Sequence, residues 1–152
     1  MLSTILLLSL LLVGAKTEIQ EKPDRVMIEF RLAESSPSEG LQELTIEGTS
    51  ERLYVHKEVI ITNKDVVAAR PIPSFVPNSF DIEIEFSDDG AKKISKASTE
   101  NIGKRIAILI DGKAVVAPLL RSTISNKAVI AGSAPSFTRN EAEELARKIM
   151  AP

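Results

Sequence analysis

The chain has 152 residues with 19 basic and 21 acidic side chains, so its formal net charge at neutral pH is −2. The absence of cysteine excludes thiolate nucleophiles, cysteine zinc sites and disulfides, and a single histidine leaves little for other catalytic chemistry. Five Phe, one Tyr and no Trp on a slightly acidic chain do not favour a nucleic-acid partner.

The N-terminal run MLSTILLLSLLLVGA, residues 1–15, is almost entirely apolar. It is shorter than the about 20 residues of a membrane-spanning helix and suits a secretory signal, with cleavage before Lys16. An uncleaved anchor or a buried N-terminal strand is the alternative. Ala15 stands where a lipoprotein has its cysteine, which excludes lipid attachment. We therefore expect a periplasmic or secreted protein with a flexible leader at residues 16–25 and one domain at residues 26–152.

Strand patterns dominate the first part of this domain. Residues 26–32 alternate apolar and polar side chains, which predicts a half-buried strand. After a loop rich in Ser, Pro and Glu, residues 41–48 alternate weakly and predict a short edge strand. Residues 52–61 are rich in strand formers, but the alternation slips near Lys57, so two strand segments or a bulge are expected there.

The middle of the domain is predicted to contain a short helix, a loop and a strand. Thr62 or Asn63 is expected to cap a short helix near residues 64–69. Residues 71–78 hold three prolines and predict a loop. Residues 80–86 alternate Phe or Ile with Asp or Glu, which is the clearest strand pattern in the chain.

Residues 88–118 predict a helix followed by a hairpin at the centre of the sheet. Ser87 is a suitable cap for a helix over residues 88–102, and Gly103 suits the left-handed residue that follows many helices. The expected buried stripe of this helix consists of Ala91, Ile94, Ala97 and Ile102. Asp111 and Gly112 favour a type I′ turn between two apolar runs.

The first of these runs, residues 106–110, is apolar at every position. A strand with this composition is covered on both faces, so a loop or a partner must supply the second cover. A further strand is expected at residues 128–131. The final helix, residues 139–150, begins with a T-x-x-E capping box formed by Thr138 and Glu141.

Together these elements predict an α+β fold: a mainly antiparallel sheet with two main helices on one face and the short helix near residues 64–69. No pattern in the chain predicts a catalytic residue, a cofactor or a metal site. The lone His56 lacks a G-x-S-x-G serine, and a surface or packing role is favoured. Gly103 and Lys104 do not form a phosphate-binding loop, because Arg105 replaces the required Ser or Thr.

Two sets of charged side chains are candidate partner-binding surfaces. Asp81, Glu83 and Glu85 form a row that could bind a cation or a basic partner, although a solvated strand face is the favoured interpretation. Five cations could form a loose basic rim at the hairpin ends, and here too a solvated rim is favoured. These cations are Lys104, Arg105, Lys113, Arg121 and Lys127.

Several segments resemble the extracytoplasmic head domain of SecD, a subunit of the bacterial preprotein-export membrane complex. They are RLYVHKEVIITNKDVVAAR (52–70), GAKKISKASTENIGKRIAILIDGKAVVAP (90–118), AVIAG (128–132) and FTRNEAEELARKI (137–149). The resemblance covers most of residues 52–150 and implies a non-enzymatic domain that holds emerging polypeptide outside the membrane.

The family couples polypeptide movement to protons through a membrane part, and this sequence shows no transmembrane bundle to do so. We therefore expect a stand-alone secreted module that contacts translocated polypeptide or the export machinery in trans. A sheet edge that pairs with an extended chain would serve that purpose. The alternative is an envelope module that binds an unrelated protein partner on the same fold, and a hydrolase using His56 or the Asp81–Glu85 row is a distant third.

Overall fold

The computed structural model describes residues 24–132 and 136–152. The predicted signal peptide and nearly all of the predicted leader lie outside these residues. The strands of the described part are β1 (Ile28–Glu34), β2 (Gln42–Thr45), β3 (Arg52–Val55), β4 (Ile61–Thr62), β5 (Val66–Pro73), β6 (Phe80–Phe86), β7 (Arg105–Ile110), β8 (Lys113–Val116) and β9 (Lys127–Ile130). The helices are α1 (Asp88–Glu100) and α2 (Arg139–Met150). The α+β class and the antiparallel pairing are confirmed, but the strands form two sheets instead of one.

The larger sheet has the strand order β2-β3-β1-β7-β8, with β4 also paired to β1. It bends round until its two ends meet, since the Glu47 N–H, just beyond β2, donates to the Ala114 carbonyl in β8 at 2.8 Å. We call this the curled sheet. The predicted hairpin is therefore not central, because β7 is an inner strand but β8 lies at the end of the order.

The curl explains why residues 106–110 are apolar at every position. Ile106 and Ile108 point into the main core, whereas Ala107 and Leu109 belong to a separate small core inside the curl. Leu53 and Val55 of β3 line the same small core. The second face of β7 is thus covered by the β2–β3 hairpin of the same sheet, and the expectation that a loop or a partner covers it is wrong.

The smaller sheet, which we call the open sheet, has the order β5-β6-β9 and is antiparallel throughout. Its inner face contributes Ile82, Ile84 and Ile130 to the main core, where residues of both sheets and both helices meet. Phe30 of the curled sheet and Phe86 of the open sheet contact edge to face, with ring centroids 5.5 Å apart. The two sheets therefore share one core although they do not share a ladder.

The chain passes from the curled to the open sheet through a 3₁₀ turn at Asn63–Asp65. The Asn63 side chain joins both ends of the domain there, because its amide donates to the carbonyls of Val26 at 2.9 Å and Ile149 at 3.0 Å. Its oxygen accepts from the Ile28 N–H. Sequence reasoning treated Asn63 only as a candidate cap, whereas Thr62 is the cap and Asn63 is the link.

The predicted short helix near residues 64–69 is wrong. Only the 3₁₀ turn forms, and residues 66–73 are strand β5. The β-branched pair Val66 and Val67 favours an extended chain, and prolines are tolerated because β5 is an edge strand. The loop predicted for residues 71–78 therefore begins only after Pro73.

Both main helices start where the sequence predicts. The Ser87 hydroxyl accepts from the Gly90 N–H, and Thr138 and Glu141 form the reciprocal capping box of α2. Helix α1 ends at Glu100, two residues earlier than predicted, so Ile102 is exposed and does not extend the buried stripe. Within the described residues, no helix has both the length and the apolar composition to cross a membrane.

Candidate functional site

His56 lies in an ion-paired cluster at one end of the curled sheet. Its Nε2 atom is 3.1 Å from Glu34 Oε1, and Lys104 Nζ is 3.3 Å from the same oxygen. The hydrogen bond from His56 holds the pKa of the Glu34 carboxyl below its ordinary value against the opposing effect of partial burial, and Lys104 adds to the lowering. These groups border a cleft of about 750 Å³ beside residues 35–41.

This cluster lacks the geometry of a hydrolytic centre. Across residues 24–132 and 136–152, His56 has Glu34 as its side-chain partner and no serine or threonine hydroxyl bonds to it. The same residues contain no group of three or more acidic or histidine side chains placed to hold a metal ion. The contacts of His56 favour the structural role over the catalytic one.

The carboxylate row on β6 is paired across the open sheet. Arg70 of β5 contacts Glu83 at 3.1 Å and Glu85 at 2.6 Å, and Lys127 of β9 contacts Glu83 at 3.1 Å. Asp81, which was expected in the same row, is largely buried. Glu83 and Glu85 therefore lie on a partly exposed strand face, where cations of the two flanking strands pair with them, whereas Asp81 departs from the expected row.

The five cations of the predicted basic rim do not assemble into one surface. Lys104 pairs with Glu34, Arg105 with Glu51 and Lys127 with Glu83. Lys113 is exposed beyond the far end of β7 from Lys104, which at about 3.4 Å per residue places it roughly 20 Å away. Arg121 is exposed, and no ion pair to it occurs within the described part of the chain.

The edges of the open sheet are the feature that sequence reasoning missed. The Phe86 N–H donates to the Asn126 carbonyl at 2.9 Å, which sets the alternation of the antiparallel ladder between β6 and β9. By that alternation Ala128 and Ile130 bond to β6, while the N–H and C=O groups of Lys127 and Val129 point away from it. No backbone bond to these outward groups occurs within residues 24–132 and 136–152.

The opposite edge, on β5, is closed by its sequence. The same alternation turns the backbone nitrogens of Pro71 and Pro73 outward, opposite Ile82 and Phe80. Proline has no N–H to offer, so an incoming strand finds two donors missing on this side. The prolines that predicted a loop thus mark a protected edge, and among the described residues of the open sheet the β9 edge is the one that keeps its outward N–H groups.

An apolar cleft of about 240 Å³ lies beside the β9 edge. Its floor includes Phe30, Ile106 and Ile108 of the main core. Leu119 and Val129 stand at its margins and are 47% and 44% exposed. Sequence reasoning predicted β9 as a strand at residues 128–131 but not its edge position, which depends on pairing with β6.

The model of one protein family, described as SecDF, P1 head subdomain, matches residues 38–151. Protein translocase subunit SecD of Aquifex aeolicus is 43% identical over 65 residues, which cover 43% of this chain and 12% of that protein. The SecD of Thermobaculum terrenum is 35% identical over 102 residues, covering 65% of this chain and 19% of that protein. The chain thus spans only a small part of the length of these relatives.

Solved structures of SecDF have the same fold. The crystal structure of SecDF in its super-membrane-facing form gives a TM-score of 0.65 and 25% identity, over 84% of this chain and 19% of that chain. A second structure, of a membrane component SecDF that enhances protein export, gives a TM-score of 0.64 and 24% identity, over 84% and 63% of the two chains. The similarity to this second structure supports the fold alone.

Proposed function

The chain belongs to the family of SecDF P1 head subdomains, and we propose that it is a non-enzymatic, extracytoplasmic module that binds protein during protein export. Its partner is a translocated polypeptide or a component of the export machinery, met in trans. Residues 1–15 act as a secretory signal cleaved before Lys16, and residues 16–25 act as a flexible leader to the binding domain at residues 26–152.

The observation that carries this proposal is the unpaired backbone of β9. Outward N–H and C=O groups on a strand edge are a template for another strand, and proteins usually protect such edges. Here β5 is protected by Pro71 and Pro73, whereas no backbone bond from residues 24–132 or 136–152 reaches the outward groups of Lys127 and Val129 in β9. An edge left bare beside an apolar cleft supports a protein-binding role.

The relatives supply the setting of protein export. The SecD proteins of Aquifex aeolicus and Thermobaculum terrenum are named protein translocase subunits. The contacts of His56 and Glu83 support a role without catalysis, since His56 bonds to Glu34 with no serine or threonine hydroxyl bonded to it among the described residues, and Glu83 is paired with Arg70. Binding, not chemistry, is therefore the proposed activity.

Cross-linking in the native envelope tests this proposal. The full chain should cross-link to a secreted preprotein arrested during translocation but not to the same protein after folding, and its deletion should slow secretion. Mass spectrometry of the chain from the same extract should find Lys16 as the first residue. Unchanged secretion on deletion together with no cross-link would refute the export role, and an intact N-terminus in the membrane fraction would refute the cleaved signal.

A further inference from the structure

We propose that the cleft beside β9 is a strand-addition site: an extended polypeptide segment with apolar side chains at alternate positions pairs with β9 as a fourth strand of the open sheet. This inference rests on the proposed function, that the chain binds polypeptide. It goes beyond that function by assigning the site to the outward groups of Lys127 and Val129 and to the apolar floor beneath them.

The backbone of β9 determines what kind of ligand fits. Lys127 and Val129 each present an N–H and a C=O on the same side, two residues apart, which is about 7 Å along a strand. An extended backbone repeats its own donors and acceptors at that spacing and so matches the edge without regard to its sequence. A helix satisfies its backbone groups internally and does not offer them to this edge.

The other wall of the cleft is extended chain as well. Beyond β8, the Pro118 carbonyl accepts from the Ile106 N–H, and the Leu120 N–H donates to the Lys104 carbonyl. This segment therefore runs alongside β7. Leu119 forms an isolated bridge with Arg105 between those two bonds, and its own N–H and C=O therefore face away from β7. A segment lying in the cleft would meet strand-like backbone on both sides.

The floor of the cleft determines which side chains are preferred. Side chains of a bound strand alternate between the cleft and solvent. Those that enter would meet Phe30, Ile106 and Ile108, which are buried and offer no polar group from their side chains. The exposed apolar side chains of Leu119 and Val129 flank the entrance. Apolar residues at every second position satisfy both requirements.

A site-specific photocross-link provides the first test, because the chain has no native cysteine. Val129→Cys in the full chain carries a benzophenone label at the β9 edge. Val67→Cys is its matched control, since Val67 is also a half-exposed valine of an edge strand, in β5 of the same sheet. The probes are an unfolded, reduced and carboxymethylated reporter protein and a short peptide of alternating valine and threonine.

Labelling of both probes should be several-fold greater from position 129 than from position 67. A second peptide with proline at alternate positions, which lacks the required N–H groups, should label weakly from both. Equal labelling from the two positions would overturn the site and leave the proposed function standing, because the reporter is still bound. Absence of any binding to the unfolded reporter would overturn this site together with the part of the proposed function in which the partner is a translocated polypeptide. Val129→Cys chains that cross-link to one another in a dimer would show a second copy at the edge and refute the proposal.

Removing the outward N–H gives the second test. Val129→Pro in β9 should weaken binding of the alternating peptide about tenfold, equivalent to about 1.4 kcal/mol. The urea midpoint should be retained, because the prolines of β5 show that this sheet tolerates prolines at an edge. If that variant does not fold, Val129→Lys keeps the N–H and should still weaken binding several-fold, whereas Val67→Lys should not. Unchanged affinity for the alternating peptide in whichever of the two Val129 variants folds would contradict the proposal.

Discussion

The curled and the open sheet differ in how they treat their edges. The curled sheet brings its ends together through the bond from Glu47 to Ala114 and encloses a small core of its own. The open sheet ends at two unjoined strands, of which β5 carries prolines and β9 does not. In the described part of the chain, the two edges of the open sheet therefore differ in their donors, since β5 lacks two outward N–H groups and β9 keeps them. The curled sheet supplies Phe30, Ile106 and Ile108 to the apolar floor beside the β9 edge.

The largest expected effect concerns the small core of the curled sheet. Leu53→Ala removes a fully buried side chain that packs beside Val55 and Leu109. We expect the free energy of unfolding to fall by about 2–5 kcal/mol, because the lost contacts leave a cavity that the closed curl cannot fill. Urea denaturation followed by circular dichroism measures this change.

Val67→Ala in the open sheet is the control for this experiment. Its side chain is 52% exposed, so truncation should change the free energy of unfolding by no more than about 0.5 kcal/mol. A similar loss of unfolding free energy in both variants would show that the small core of the curled sheet contributes no more to stability than the exposed face of β5. A loss confined to Leu53→Ala would sharpen the distinction between scaffold and open edge.

The second prediction concerns the junction between the sheets. Asp65 accepts from the Lys93 ammonium at 2.7 Å and from the Thr62 N–H at 3.0 Å. Burial raises the pKa of the Asp65 carboxyl, but Lys93 and Thr62 outweigh burial and hold the pKa below its ordinary value of 3.8. Asp65→Asn should therefore lower the free energy of unfolding by about 1–2 kcal/mol at neutral pH, since both donors lose a charged acceptor.

The sign of the pH dependence follows from the lowered pKa. The native carboxylate stabilises the fold above the unfolded-state pKa of about 3.9, and this contribution is lost as pH falls through the lower folded-state value. The difference between wild type and Asp65→Asn should thus shrink as the pH falls below about 4. Urea midpoints across an acid series measure it, and a constant difference would show that the charge of Asp65 does not stabilise the junction.

Local signals predicted the elements that local contacts form. The capping box of Thr138 and Glu141 gave α2 its start, and the Asp111–Gly112 pair takes positive φ angles of 49° and 80° as its turn requires. Strand β6 matches its prediction because alternation alone places Ile82 and Ile84 in the core. Strand β5 was missed because Pro71 reads as a loop unless its edge position is known.

The candidate site could not be predicted for the same reason. Whether Lys127 or Ala128 turns its N–H outward depends on the register between β9 and β6, which are separated by about forty residues of chain. The pairing of Arg70 with Glu83 also requires that register. Composition indicated exposed charges and a short strand, but only the arrangement of the strands distinguishes a protected edge from a bare one.

The smallest expected effect concerns His56, which joins the ends of neighbouring strands in the curled sheet. His56→Ala removes the hydrogen bond that most lowers the pKa of Glu34, so that pKa should rise towards its ordinary value of 4.5. The loss of stability at neutral pH should stay below about 1 kcal/mol, because both side chains are about one-third exposed and water screens the pair.

Carbon-detected NMR titration of the Glu34 carboxyl measures this shift. Lys104→Met should also raise the same pKa, since the Lys104 ammonium contributes to the lowering. Peptide binding at the β9 edge should be unchanged in both variants, because His56 and Glu34 line a different cleft. An unmoved Glu34 pKa would mean that His56 does not hold the strand ends together, and weaker peptide binding would mean that the curled sheet is part of the binding surface and not only its scaffold.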